Sequence, residues 1–250
     1  GGNYNVVVGD EAGTAITTGD YNVAVGFAAG DATTTGSENI SVGGYALSAN
    51  TTGANNTAVG SGSLQSNTTA SNNTSVGYGS LSANTTGRDN TAVGYSAAAT
   101  NTTGVENVSM GMYALRFNTT GGSNTALGYL ALHRNTTASN NTAVGRYALE
   151  ANTTGGDNTA TGHEALASNT TGTQNTAFGR ASMDSNTEGD YNSSLGYTAL
   201  QKNTTGDTNT GLGHGSLRYN TTGAGNTAVG TGSLGVNTTA SQNTAVGRSA

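Results

Sequence analysis

The sequence predicts an all-β protein that folds as a parallel β-solenoid, or β-roll, with seventeen-residue coils. Three observations predict this fold. An Asn recurs at every seventeenth position, without a gap, from Asn5 to Asn243. Gly supplies 40 of the 250 residues, which disfavours helices because Gly in a helix interior costs about 0.5–1 kcal/mol. A unit of this length is too short for two packed helices with their turns, but it suffices for one coil of a solenoid.

Numbered from the recurrent Asn, the unit reads N-T-A-V-G-x-x-A-L-x-x-N-T-T-G-x-x. Position 5 is Gly in all fifteen occurrences, position 8 is Ala or Ser, and position 13 is Thr. Residues 1–250 therefore form a single continuous array of fourteen full units from Asn5, with partial units at both ends. We expect this array to be part of a longer protein, because solenoids need capping segments and neither end carries one.

Each segment of the unit has an expected structure. N-T-A-V predicts a short strand, and its alternation sends positions 2 and 4 to one face and position 3 to the other. Because position 4 is the larger apolar residue, we expect positions 2 and 4 to face inward. The Gly at position 5 ends the strand. N-T-T predicts a second short strand, and the Gly at position 15 predicts a second turn.

Stacked coils are expected to pair in parallel, about 4.8 Å apart, with the Asn of positions 1 and 12 forming side-chain ladders. The large apolar residues of positions 4 and 9 should be inside, and the charged corner residues should be outside. The predicted interior residues are Val59, Val76, Val93, Leu64, Leu81, Leu115 and Leu132, and the predicted exposed residues are Arg88, Arg116, Arg134, Arg146 and Asp157.

Self-association is expected because one coil buries only about two large apolar side chains, worth roughly 1.5–3 kcal/mol each. This burial does not offset the entropy cost of ordering the coil. The small residues of position 3, taken to face outward, predict a row through which chains associate side by side as a homo-oligomer or filament. This possible self-association row comprises Ala58, Ser75, Ala92, Ser109, Ala126 and Ala143.

Composition and charge exclude several classes of function. The formal net charge is −6, and the eight basic residues form no cluster, which argues against a nucleic-acid partner. No run approaches the roughly 18 apolar residues of a membrane-spanning helix. There is no Cys, so a thiolate metal site is excluded. We predict neither an enzyme nor a cofactor, because His133, His163 and His214 lie at solvated corners of separate coils.

One acidic group is the best candidate for an ion site, although repulsion that is simply tolerated in water is the preferred explanation. Asp190 and Asp207 occupy position 16 of adjacent coils, and Glu188 lies in the turn that leads to Asp190. Two carboxylates at ladder spacing repel each other in water by only about 1 kcal/mol. We therefore predict no metal site, with these three residues as the weak exception.

Aromatic residues recur at positions 6 and 7, where stacking would align them along one corner. The alignment predicts an interaction ridge for carbohydrate or protein on a host or cell surface, since Tyr offers contact area at low entropy cost. Corner packing that covers the strand ends is the alternative. The ridge comprises Phe27, Tyr45, Tyr78, Tyr95, Tyr113, Tyr129, Tyr147 and Tyr197.

The stretches Asn56–Leu64 and Asn141–Leu149, which follow N-T-A-V-G-x-x-A-L with Ser63 in place of Ala, resemble the head repeats of trimeric autotransporter adhesins of the YadA type. That family has the motif S-V-A-I-G-x-x-A-x-A, and Asn22–Gly26 is the nearest match here. The resemblance implies a left-handed parallel β-roll with three chains side by side on a bacterial surface. The present unit is longer by the N-T-T segment. The array is also similar to repeats of phage tail-fibre-like and large secreted bacterial surface proteins.

The function expected from these observations is an extracellular structural fibre segment, a stalk or head of an adhesin-like cell-surface protein that binds through its variable corners. Two alternatives remain open. One is an ice-binding solenoid that uses its Thr ladders, and the other is a segment of a phage tail-fibre-like protein.

Overall fold

The computed structural model describes residues 2–250 as repeated coils with one short strand each. The strand of each coil occupies positions 2 to 4 of the unit. The strands of the described residues are β1 Val6–Val8, β2 Val23–Val25, β3 Ile40–Val42, β4 Thr57–Val59, β5 Thr74–Val76, β6 Thr91–Val93, β7 Val108–Met110, β8 Thr125–Leu127, β9 Thr142–Val144, β10 Thr159–Thr161, β11 Thr176–Phe178, β12 Ser193–Leu195, β13 Thr210–Leu212, β14 Thr227–Val229 and β15 Thr244–Val246.

The strands pair in parallel, each with the same positions of the next coil. The chain divides into two compact units, one up to Asn124 and one from Thr125. In the first unit, Thr57 pairs with Thr74 and Val59 with Val76. In the second, Thr142 pairs with Thr159. The predicted parallel β-solenoid of about fourteen coils with a seventeen-residue repeat is confirmed.

The N-T-T segment is not a strand, so the predicted second strand is wrong. Its backbone bonds explain why. In Asn50-Thr51-Thr52, the N–H groups of Thr51 and Thr52 both donate to the carbonyl of Thr68 in the next coil, at 2.8 and 3.4 Å. A strand ladder requires successive residues to bond to alternate neighbours, and two N–H groups that share one acceptor make a bend instead.

Two ladders of buried Asn side chains run through each of the two compact units, as the seventeen-residue repeat predicted. At position 12, Nδ2 of Asn84 donates to Oδ1 of Asn67 at 3.0 Å and to the carbonyl of Gly87 at 2.8 Å. At position 1, Oδ1 of Asn73 accepts the backbone N–H of Asn90 at 3.0 Å, while its Nδ2 donates to the same Gly87 carbonyl at 3.0 Å. From Gly53 onward, a carbonyl of position 15 thus accepts bonds from both ladders, which satisfies buried polar groups that would otherwise destabilise so thin a core.

The apolar core consists of the Leu of position 9 packed against the small residues of position 3. Leu64, Leu81, Leu115 and Leu132 are fully buried, as predicted. A Cβ placed on Gly211 at position 3 would lie 3.4 Å from the Leu200 side chain, so the two positions face each other across the coil. The Ala or Ser of position 8 is buried as well, so the interior accommodates one large and two small side chains per coil.

The predicted orientation of the strand side chains is therefore wrong: position 3 faces inward, and positions 2 and 4 face outward. Val59, Val76 and Val93 were expected inside, but they are only half-buried and point outward. The row expected to face outward for self-association is instead entirely buried in the core, and its six residues are Ala58, Ser75, Ala92, Ser109, Ala126 and Ala143. The physical reason is the volume of Leu at position 9, which leaves room for only Ala or Ser on the opposite wall.

The charged corner residues follow the prediction with one exception. Arg88, Arg134, Arg146 and Asp157 are exposed. Arg116 is half-buried because its guanidinium carbon lies 4.6 Å from the ring centroid of Tyr113 and 5.2 Å from that of Phe117.

Candidate interaction surface

The outer face of the parallel sheet is formed by the side chains of positions 2 and 4. Neither position carries a charged residue anywhere in the chain. Position 4 is apolar in every coil except at Thr161. In the second unit Phe178 is 52% exposed and Leu195 is 51% exposed, and the two are paired on adjacent strands. This outer sheet face is an open, uncharged surface on which an apolar row at position 4 runs beside a row at position 2 that is mainly Thr.

A sequence signal for the outer sheet face was present in the variation of residue size. Position 4 includes Val, Met110, Leu127 and Phe178, whereas position 3 is nearly always Ala or Ser. A close-packed interior does not tolerate changes of volume from Val to Phe. The position that varies in size is therefore the outward one.

The aromatic residues of positions 6 and 7 form separate groups of contacting rings along one corner of each compact unit. In the first unit, Phe27 meets Tyr45 edge-on at 5.2 Å between centroids. Tyr78 stacks on Tyr95 at 5.4 Å, and Tyr95 meets Tyr113 at 5.3 Å. Tyr78 is 60% exposed. These residues present ring faces and edges to solvent along this corner.

The second unit continues the pattern with Arg and His among the rings. Tyr129 meets Tyr147 at 5.6 Å, and the guanidinium carbon of Arg146 lies 4.6 Å from the Tyr147 centroid. Tyr197 stacks on His214 at 5.4 Å. Cation–π contacts of this kind contribute about 0.5–1 kcal/mol at exposed sites. They favour the observed ring orientations.

The candidate acidic site consists of carboxylates that accept backbone hydrogen bonds. Oδ1 of Asp207 accepts the N–H of Asp190 at 2.8 Å, and Oδ1 of Asp190 accepts the N–H of Thr173 at 2.6 Å. Ser71 does the same for the N–H of Ala54. Asp or Ser at position 16 thus caps the N–H of position 16 in the preceding coil. Glu188 is exposed and lies outside this chain of bonds.

Within residues 2–250, nowhere do three or more His, Asp or Glu side chains cluster as a metal ion would require. His163 lies near the corner ridge, with Nδ1 3.4 Å from Oε2 of Glu164 and its ring 6.3 Å from Tyr147. His163 and His214 therefore contribute to the aromatic corner.

The Thr ladder of position 13 uses its hydroxyl groups inside the fold. Oγ1 of Thr51 donates to the carbonyl of Thr68 at 3.1 Å, and Oγ1 of Thr85 donates to that of Thr102 at 3.1 Å. The exposed Thr rank is position 14, as at Thr52 and Thr86. Only that rank leaves Thr side chains open to solvent at this bend.

The fold and these surfaces define a β-solenoid repeat protein with an open sheet face and an aromatic corner. None of the described residues lies in a helix with the length and apolar character needed to cross a membrane. Neither protein-family models nor curated proteins give a match to the chain.

Proposed function

We propose that the chain is a rigid, non-enzymatic segment of an extracellular fibre on a bacterial cell surface, as in an adhesin stalk or head. Chains associate side by side through the outer sheet face and bind other surfaces through the aromatic corner. The observation that carries the proposal is the contrast between a closed, hydrogen-bonded interior and an open, charge-free sheet face.

The occupant that best fits the outer sheet face is a second copy of this chain. Apolar side chains recur there once per coil, at a rise of about 4.8 Å. Only a surface with the same period stays in register over many coils. A second copy has that period, and repeated weak contacts add along a solenoid. The Asn ladders and the in-register parallel strands support the rigidity that such a fibre needs.

The association is tested by sedimentation of the wild-type chain and of the double variant Phe178→Lys with Leu195→Glu. The two new charges lie on paired strands, so they neutralise each other within one chain and leave the net charge unchanged. In an interface they would be desolvated, and we expect association to weaken by about a hundredfold or more.

The matched control is Thr154→Lys with Thr171→Glu, which places the same charges on the exposed rank of position 14. We expect this control to associate as the wild type does. A wild-type chain that sediments as a monomer, or a double variant that associates normally, contradicts the proposal.

Ice binding has less support because the hydroxyl groups of position 13 are bonded to backbone carbonyls. It would have to rely on the exposed rank of position 14 and on the outward-facing Thr of position 2, whose rank is interrupted by Val108 and is flanked by the apolar side chains of position 4. We expect the chain to show no thermal hysteresis.

A further inference from the structure

In the compact unit that ends at Asn124, the aromatic ridge is interrupted by a cleft between Tyr45 and Tyr78. The cleft has a volume of about 420 Å³, and Gly62 and Gly79 contribute to its lining. This volume lies within the range of about 300–1,000 Å³ that is typical of sites for small ligands. Both Gly residues occupy position 7, the corner position, of adjacent seventeen-residue repeats. Because Gly has no side chain, two consecutive corners are left unfilled, and the cleft results.

Gly is not required at these corners by the backbone. Gly62 and Gly79 have φ of +66° and +60°. Tyr45 and Tyr113 occupy the same position of other coils with φ of 59°, and Ser96 does so with φ of 50°. A Cβ on Gly62 would come no closer than 3.5 Å to Gln65, and one on Gly79 no closer than 3.7 Å to Ser96. The site therefore tolerates a side chain, and the Gly residues leave open space.

The lining of the cleft combines aromatic rings with uncharged hydrogen-bonding groups. Tyr45 is 46% exposed and Tyr78 is 60% exposed, so both rings are accessible. Gln65 supplies an amide, Ser61 and Ser82 supply hydroxyls, and Arg116 supplies the only charge. One cation does not suit a nucleic-acid backbone, and the lining has few apolar groups to hold the side chain of a hydrophobic peptide.

We infer that this cleft binds one pyranose residue of a glycan; the inference rests on the proposed role of the corners in binding surfaces. The C–H groups of a pyranose ring carry partial positive charge and pack on the negative face of a Tyr ring. Its hydroxyl groups both donate and accept, which matches the Ser hydroxyls and the Gln amide. The guanidinium of Arg116, held against Tyr113 at 4.6 Å, donates to sugar oxygens.

A second cleft of this kind is present in the compact unit that begins at Thr125. Gly215 and Gly232 are again consecutive residues of position 7, with φ of +64° and +67°. They line a smaller cleft of about 270 Å³ together with Arg218 and Tyr219. Consecutive Gly at position 7 is therefore the sequence signature of the cleft.

The inference is tested by saturation-transfer NMR on the full chain with four probes: methyl α-glucopyranoside, methyl β-galactopyranoside, N-acetylglucosamine and methyl β-glucuronide. We expect transfer from the protein to the ring C–H protons of at least one probe. The double variant Gly79→Tyr with Gly232→Tyr fills both clefts with a side chain that position 7 already accepts at Tyr45. It should abolish transfer.

The matched control is Gly79→Ala with Gly232→Ala, which adds the same backbone cost but leaves the clefts open, and it should retain transfer. Tyr78→Ala should weaken binding at the larger cleft by about tenfold. The inference is overturned if no probe shows transfer with the wild-type chain, or if transfer survives when both clefts are filled.

Failure of this inference is distinguishable from failure of the proposed fibre. If no sugar binds, but the wild-type chain associates and Phe178→Lys with Leu195→Glu disrupts that association, only the glycan site is wrong. If the wild-type chain neither binds a sugar nor associates, the proposed function is wrong as well.

Discussion

Asn72 and Asn73 are neighbours in the chain, yet they lie in two contrasting regions of the molecule. Asn73 is fully buried and belongs to the position 1 ladder, whereas Asn72 is exposed at the corner and bonds to Asp89 across the surface. The interior uses the most regular positions of the repeat and satisfies their polar groups internally. The corners and the outer sheet face carry the variable residues. The regular positions thus hold the coils together, and the variable positions remain free to meet partners.

The largest effect is expected from a substitution at the Gly of position 5, where the interior backbone of two coils meets. Gly94 has φ of +135°, and a Cβ there would lie 2.7 Å from the carbonyl oxygen of Gly111 in the next coil. Gly94→Ala should destabilise the fold by about 3 kcal/mol or more, since backbone atoms cannot move aside. Thermal unfolding followed by circular dichroism measures the loss. Gly79→Ala at the open corner is the control; it carries only the cost of a left-handed φ, about 1–2 kcal/mol, and should lower the unfolding temperature less.

The next largest effect on stability is expected from substitution of Asn73, the buried member of the pair Asn72 and Asn73. Asn73→Ser removes the acceptor of the Asn90 N–H and a donor to the Gly87 carbonyl, and should destabilise this part of the solenoid by about 2–4 kcal/mol. Hydrogen–deuterium exchange should then accelerate at the Asn90 amide by about thirtyfold or more.

The control for this pair is Asn72→Ser, which changes an exposed residue where another coil already has Ser123. It should alter stability by less than about 0.5 kcal/mol. Equal acceleration of exchange in both variants would show that burial in the ladder does not distinguish the two residues.

The smallest effect is expected at Asp184, a half-buried corner residue. Burial raises the pKa of Asp184 above its ordinary value of 3.8, Glu164 raises it further, and Lys202 partly opposes the shift. The folded state therefore disfavours the charged carboxylate, so its destabilising contribution develops as pH rises from below 3.8 through the raised pKa. Asp184→Asn should raise the free energy of unfolding at pH 7 by less than about 1 kcal/mol, because solvent screens a half-buried charge.

Urea unfolding at acidic and neutral pH checks this sign. The gain from Asp184→Asn should vanish once the carboxyl group is protonated in both the folded and unfolded states. Asp157→Asn at an exposed corner serves as the control and should change stability by less than about 0.5 kcal/mol at either pH. A gain at Asp184 that is larger in acid than at neutral pH would contradict the burial argument.

Much of the fold follows from the period of the sequence. The parallel register, the Asn ladders and the burial of Leu64 all follow from identical residues that recur at every seventeenth position. The period did not determine which face of the strand points into the core. We assigned the larger apolar residue, at position 4, to the interior, and that assignment was wrong. The separation between the coil walls decides which residues fit inside, and it arises only when Leu64 of one wall meets Ala58 of the other within one core cluster.

The candidate surfaces were predictable to different extents. The aromatic corner followed from the recurrence of Tyr at positions 6 and 7. The cleft did not, because it is formed by missing side chains at Gly62 and Gly79, and open space has no hydrophobic or charge pattern. The prediction of a second strand at the N-T-T segment was wrong because residue type does not reveal that two backbone N–H groups share one carbonyl.

The central claim is that position 3 lies inside the solenoid while positions 2 and 4 form its outer face. The chain has no Cys, so maleimide labelling of Val108→Cys, Ser109→Cys and Met110→Cys, made one at a time, measures this directly. The background should contain Phe178→Lys and Leu195→Glu so that association does not cover the face. Val108 is 37% exposed, Ser109 is 0% exposed and Met110 is 38% exposed. We predict rapid labelling at 108 and 110 and labelling at least about a hundredfold slower at 109, limited by local opening. Rapid labelling at 109 with protection at 108 and 110 would contradict the account.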